Sequence, residues 1–274
     1  MASVGPMRVD LIFPSREVIR EYYRGLIYLA ARTCYSETPP QEIWQEYREG
    51  KTDPAKVIRV IDHVLSSGHH STIEHISFTF AISGVSRALS HQLVRHRIGV
   101  AFDQQSQRYV KFREAQQVVP PSIAEDEAAQ ASFEEVMRTD KEAYQRLLDL
   151  GMPAEDARFV LPNATTTNLI MTVNLRELIH MAGLRICLLA QWEIRQLFKL
   201  IRKELMAADE FFGRLVVPKC VPMGVCDEKR NEDGHCRVRP HRNAVLGIWE
   251  DYRAGRLRYV EPPPNEPGGE KRRE

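Results

Sequence analysis

The sequence predicts an α+β fold: a single domain with a mixed sheet and long helices. Helix-period segments are long and amphipathic, whereas alternation with a period of two is confined to a few short stretches. The two element types do not follow one another as they do in a doubly wound parallel sheet. Neither G-x-G-x-x-G nor G-x-x-x-x-G-K-[ST] occurs, so any phosphate must be held by side chains and not by a glycine-rich cradle.

The elements follow in order. VDLIF, residues 9–13, reads as a short first strand. Ser15 is placed to cap a helix running to about residue 31. Asp53 and Pro54 form an N-cap and N1 pair for a helix through Leu65, ended by Gly68. HISFTFAIS, residues 75–83, sets Ile76, Phe78, Phe80 and Ile82 on one face, the pattern of a half-buried strand. A helix is expected over residues 85–96, with Leu89, Leu93 and Val94 anchoring it in the core. A polar loop follows. Residues 122–151 read as one long charged amphipathic helix ended by Gly151. Residues 152–162 form a short helix, with Pro153 at its start and Pro162 after its end. TTTNLIMTVN, residues 165–174, has the Thr content and alternation of a strand, its threonines read as strand formers and not ligands. Asn174 can then cap LRELIHMAGLR. A second long helix is expected over residues 191–213. One domain over residues 1–215 thus precedes a Cys-containing extension, residues 216–261. The Pro- and charge-rich tail, residues 262–274, is expected to be disordered.

The chain has 274 residues, 43% of them hydrophobic, enough for a substantial core. A formal net charge of +1 argues against a general polyanion binder, and no nucleic-acid partner is expected. No apolar run approaches the roughly 20 residues of a membrane helix, and LIFPS is too short for a signal-peptide core. A soluble cytoplasmic protein without a membrane partner is the expectation. Five cysteines fit a reducing compartment better than a disulfide scaffold.

The densest chemistry lies in RHRIGVAFDQQSQRYV, residues 95–110. Arg95, His96 and Arg97 are consecutive, and Ser106 and Arg108 follow the loop. Guanidinium groups present a rigid fork of donors that matches phosphate oxygens. In a near-neutral chain, so dense a cluster suits a small, multiply anionic ligand. On the expected helix, Gln92, Arg95 and His96 share one face. A second constellation comprises Arg158, Arg176, His180 and Arg185, with Arg176 and His180 four residues apart. GHHSTIEH, residues 68–75, does not have the spacing of a zinc helix, and Ser71 and Glu74 are better read as polar ligand contacts. Cys220, Cys226 and Cys236 lie near His235 and His241 but lack a C-x2-C pair; a structural zinc and three unrelated thiols both remain open, and no metal site is assigned.

These segments together resemble the flavin-dependent thymidylate synthases. The family's RHR signature with a following Ser is matched by Arg95, His96, Arg97 and Ser106, and SQRY continues it. GHxxxxEHxxFTF (68–80), ARxVLP (157–162), TVNxRxL (172–178) and LRxxxxAQWEI (184–194) are similar too, in family order over about residues 9–215. The resemblance implies the thymidylate synthase-complementing fold. It also implies a methyltransferase and oxidoreductase of nucleotide biosynthesis: a homotetramer with interfacial active sites, making dTMP from dUMP. FAD is then the cofactor, with methylenetetrahydrofolate and NADPH as co-substrates.

Carried over position by position, the resemblance places Ser71, Glu74, Arg95, His96, Arg97, Asn174, Arg176 and His180 at FAD. It places Gln92, Gln104, Ser106, Arg108, Arg158 and Arg185 at dUMP, with Gln92, Arg95 and Arg97 where the ligands meet. Cys34 stands where many members have Ser, and Leu189 where some have a flavin-contacting His. The loop at 98–105 carries one extra residue.

The chemistry agrees with this reading. A phosphate dianion suits Arg108 and Arg158. Methylation at uracil C5 needs charge stabilised on the ring, and Arg185 is the candidate catalytic cation. No Cys has an evident activating His, so a thiol nucleophile is not required. Another flavin or nucleotide enzyme, a non-catalytic nucleotide-binding regulator and a structural RNA binder are the competing readings. The first two are separated by a flavin chromophore, and the third is disfavoured by charge.

Overall fold

The computed structural model describes residues 6–112 and 116–229, with residues 236, 239–242 and 254. The chain divides into two compact units, Met1–Lys219 and Cys220–Glu274. The tail at 262–274 and His235 lie outside the described residues. Among the described residues, no helix is long and apolar enough to cross a membrane.

The first unit is α+β. β1 (Arg8–Phe13) leads into a continuous helical run: α1 (Arg16–Val18), a π-helical turn over Ile19–Tyr23, and α2 (Arg24–Thr33). Ser15 caps it as expected, its side chain accepting from the Val18 N–H. α3 (Pro40–Arg48) was not anticipated. α4 (Pro54–Ser66) starts on the Asp53 cap and Pro54, and Gly68 adopts a φ of +74° beyond its end. A 3-10 turn (His70–His75) precedes β2 (Ser77–Ser86), so Glu74 and His75 are not in the strand. Then come α5 (Arg87–Leu93), β3 (Val100–Gln104), α6 (Pro121–Ala124), α7 (Glu127–Asp149), α8 (Ala154–Ala157) and a 3-10 turn over Arg158–Val160. β4 (Thr166–Asn174), α9 (Leu175–Arg185), α10 (Trp192–Ala208) and α11 (Glu210–Leu215) complete the unit.

The sheet is not mixed. Its order is β1-β2-β4-β3 and every pairing is antiparallel. Phe78 faces Val173, Phe80 faces Met171 and Ile82 faces Leu169 across β2 and β4. These side chains form the buried face with α2, α4, α9 and α10 over it. On the other face, the Thr79 and Thr172 hydroxyls lie 3.0 Å apart.

Several helix boundaries differ from expectation. The helix expected over 85–96 is only Arg87–Leu93, because β2 runs on to Ser86 past a register shift after Ile82. Ser86 then caps α5, its Oγ accepting from the Leu89 N–H at 3.0 Å. Val94 ends the helix and is exposed, not core. The helix expected over 122–151 breaks at Asp126, whose carboxylate accepts from the Ala129 N–H and restarts the helix as α7. Asp209 divides the last long helix in the same way, accepting from the Phe211 N–H. Its carboxylate also holds the Arg24 guanidinium through two 2.7 Å bonds. Acidic side chains at a break satisfy orphan N–H groups of the following turn.

In the second unit, α12 (Cys220–Met223) is followed by a parallel bridge between Cys226 and His241. The Cys226 N–H donates to the Pro240 carbonyl at 2.8 Å.

Candidate functional site

Two strand–helix junctions build the site, β2 into α5 and β4 into α9. The first is fixed from beneath by Glu193, only 2% exposed. One of its carboxylate oxygens accepts from the Ser86 N–H at 2.7 Å, and the other from the Ser86 hydroxyl at 2.5 Å. Gln191 caps α10 by accepting from the Glu193 and Ile194 N–H groups, which sets Glu193 in place. The second junction is capped by Asn174, whose Oδ1 accepts from the Glu177 N–H at 2.8 Å.

The RHR segment lies beyond α5. The His96 N–H donates to the Leu93 carbonyl, a tight final turn, and the chain then swings toward β3. Gly99 makes that possible. Its φ is +68°, and a Cβ there would fall 2.3 Å from the Asn174 side chain. β3 itself lies inside the stretch expected to be a polar loop, paired to β4 from Val100↔Val173 to Gln104↔Leu169. So Gln92, Arg95 and His96 do not share a helical face. The turn sends Arg95 and Arg97 outward and His96 inward, where it is 8% exposed.

His96 is the hub of the site. Its Nδ1 lies 3.1 Å from Glu177 Oε1. Arg185 Nε donates to its Nε2 at 3.1 Å, and Arg185 Nη2 donates to the Gln92 carbonyl at 3.4 Å. The His180 ring stands edge-on, 6.0 Å away between centroids. Burial, then the charge of Arg185, then His180, hold the His96 imidazole down at about 4 from its usual 6.5. It is therefore neutral near pH 7. Burial raises the Glu177 carboxyl against an opposing pull from His180, and burial lowers Arg185. Among the described residues, His96, Glu177 and His180 are the one group with metal-ligand spacing. Both His96 nitrogens are already engaged, one by a guanidinium, which disfavours a cation there.

The other expected residues fall around this hub. Glu74 and Arg176 form an ion pair with each other at the surface, so Arg176 is turned to the 3-10 turn and not to His180. Ser71 lines a cavity of about 420 Å³ between α2, α4 and that turn, with Lys56, Arg59, His63 and His69 also in its wall. Cys34 lies in the same wall, its thiol directed at the Ala30 carbonyl. Gln104 Nε2 donates to Thr167 Oγ1 at 3.2 Å. Ser106 Oγ accepts from the Arg108 N–H. Arg108 pairs with Glu155 at 3.1 Å, half exposed, while Arg158 Nε donates to the Glu155 carbonyl. Glu155 thus ties together the two arginines expected at phosphate.

Three residues were missed by sequence reasoning. Glu193 and Glu177 look like first-turn acids that merely complement a helix dipole. Arg87 is the third. It donates to the Gln105 carbonyl at 3.0 Å, and both burial and the nearby Arg158 lower its pKa.

A family model described as Thymidylate synthase complementing protein matches residues 19–209. The chain belongs to the flavin-dependent thymidylate synthase family. The Geobacter sulfurreducens flavin-dependent thymidylate synthase is 52% identical over 173 residues, 62% of this chain and 72% of that protein. The Nitratidesulfovibrio vulgaris flavin-dependent thymidylate synthase is 42% identical over 239 residues, 81% of this chain and 91% of its own length. One from Clostridium tetani is 40% identical over 215 residues, 73% of this chain and 84% of that protein. The family match spans both strand–helix junctions and ends within the turn between α10 and α11.

Proposed function

We propose that this protein makes dTMP from dUMP, with methylenetetrahydrofolate as carbon donor and NADPH, through FAD, as reductant. It acts in the cytoplasm as a homotetramer with active sites at subunit interfaces. The observation that carries the reading is Arg185: a cation at the end of α9, aimed by a neutral His96 and the Gln92 carbonyl. A neutral acceptor holds the guanidinium without cancelling its charge, so the charge remains available to a uracil ring.

The residues present fit a flavin dinucleotide. Ser71 opens on a cavity bordered by Lys56 and Arg59, and Arg95 and Arg97 are exposed cations with no ion pair among the described residues. Such donors suit a diphosphate. Ser71, Glu74, Arg95, His96, Arg97, Asn174, Arg176 and His180 would hold FAD, which supplies hydride chemistry when bound. Gln92, Gln104, Ser106, Arg108, Arg158 and Arg185 would hold dUMP. Arg108 and Arg158 take the phosphate, Arg108 leaving Glu155 to do so. Arg185 stabilises charge on the uracil ring as C5 becomes nucleophilic.

The visible spectrum of the purified protein tests this reading. A yellow protein bleached by NADPH, with dTMP formed when dUMP and methylenetetrahydrofolate are added, is the expected outcome. A colourless protein that binds dUMP without turnover would make it a nucleotide-binding regulator instead.

A further inference from the structure

We infer that Glu177 is a positioning residue for this site: it fixes His96 in the Nδ1–H tautomer, and the lone pair so exposed at Nε2 aims Arg185. The inference rests on Arg185 acting on the uracil ring as proposed above.

Donor and acceptor chemistry fixes the direction of these contacts. Arginine carries five N–H donors and no acceptor. Arg185 Nε lies 3.1 Å from His96 Nε2, so Nε2 must offer a lone pair. A neutral imidazole with a free Nε2 carries its proton on Nδ1. That proton points at Glu177 Oε1, 3.1 Å away, the one acceptor it has among the described residues. The chain of donation therefore runs in one direction, Arg185 to His96 to Glu177.

Each end of that chain is anchored. Glu177 sits in the first turn of α9, its N–H held by the Asn174 cap. Arg185 ends the same helix, and its Nη2 is steadied by the Gln92 carbonyl of α5. His96 bridges the first and last turns of α9 from a segment outside it. Without a carboxylate at Nδ1, the Nε2–H tautomer becomes accessible. It would set an N–H against the Arg185 N–H, and the guanidinium would have to turn away. Glu177 thus acts through His96, without needing to touch the substrate. A metal held by His96, Glu177 and His180 would take the single lone pair of a neutral imidazole: at Nε2 it would displace Arg185, and at Nδ1 it would leave an Nε2–H against the Arg185 N–H, so the tautomer reading accounts for more of the contacts.

The test uses flavin-loaded protein labelled with ¹⁵N-histidine, with His96 assigned by its absence in His96→Gln. Wild type and Glu177→Gln, whose amide oxygen can still accept, should both show the Nδ1–H tautomer. Glu177→Leu should shift His96 toward Nε2–H and keep its flavin. Its kcat should fall roughly 10- to 100-fold, as expected for loss of a hydrogen bond to a charged group, with a smaller change in KM for dUMP. Turnover in Glu177→Gln should stay within about threefold of wild type, since the acceptor is kept. If Glu177→Leu loses its flavin, Glu177→Asp, one methylene short of His96, should give the same tautomer shift. An unshifted tautomer in Glu177→Leu or Glu177→Asp overturns the inference, as does a shifted tautomer with wild-type kcat. Wild-type protein that shows the Nδ1–H tautomer but makes no dTMP overturns the proposed function instead.

Discussion

Replacing His96 with Gln should remove a specific part of the protein's acid sensitivity. His96 is 8% exposed and its imidazole is held at about 4, against 6.5 for an unperturbed histidine. Between those two values the unfolded chain binds a proton that the folded chain refuses, so stability falls as pH falls from 6.5 toward 4. At pH 5 the difference amounts to about 2 kcal/mol, rising toward about 3.4 kcal/mol below pH 4. Glu177 works in the opposite sense. Its carboxyl is raised by burial, so the folded state takes up its proton more readily and gains stability on acidification. The comparison must therefore be between proteins. Urea unfolding at pH 7 and pH 5, followed by circular dichroism, should show wild type losing about 2 kcal/mol more than His96→Gln between the two conditions. Packing and hydrogen bonding that the substitution weakens equally at both pH values cancel in that difference. Equal pH dependence in the two proteins would mean that His96 protonates freely inside the fold, and the neutral, lone-pair-donating hub would be refuted.

Arg185→Ala should keep the flavin spectrum and lose dTMP formation; full turnover with intact flavin would remove Arg185 from the chemistry. Arg108→Ala should weaken dUMP binding by about one to two decades, the loss expected for a charge-assisted contact, with flavin content nearly unchanged. Its pairing with Glu155 places the effect nearer the lower figure, because that pair must first be broken; calorimetric titration of dUMP decides. Cys34→Ser and Cys187→Ser should each turn over within a few-fold of wild type, and complete inactivation of a folded, flavin-bound variant would revive a covalent thiol. Glu193→Ala removes two buried hydrogen bonds to Ser86 and should cost about 3–5 kcal/mol. A thermal midpoint equal to wild type would show that Glu193 does not hold the junction.

The strands with strict alternation, β2 and β4, and the capped helices α4 and α9 are legible in the sequence because local chemistry and tertiary packing agree there. β3 is not. VAFDQ gains strand character only by pairing along one edge with β4, and nothing in its composition announces the partner. The arginine helix reads too long because Gln92, Arg95 and His96 have helical spacing, whereas the chain leaves the helix at Val94 to meet β3 through Gly99. Asp126 and Asp209 break helices that look continuous because a capping carboxylate in an acid-rich run resembles a solvated one. The positions matched at dUMP and flavin are dispersed over several elements. What the sequence could not supply is their partners. Glu74 and Arg176 are paired, Arg108 is held by Glu155, and His96 is oriented by a glutamate that looked ordinary.

A turn, and not a longer helix, carries His96 into this site. α5 spans only about 10 Å at 1.5 Å per residue, so it cannot itself run the length of the roughly 30 Å β4 strand beside it. The six residues from Val94 to Gly99 cover the rest as open chain. They end against Asn174, where β4 passes into α9. An open segment can turn one side chain inward while its neighbours on either side face out, as His96 does between Arg95 and Arg97. Arg95 and Arg97 therefore face outward as exposed cations, while His96 turns into the protein to join Glu177 and Arg185. Those two residues lie eight positions apart on α9, about 12 Å along its axis, and converge because both reach for one ring. The sequence triplet so divides its work between two directions. Its arginines offer charge outward, and its histidine holds Arg185 at the end of α9.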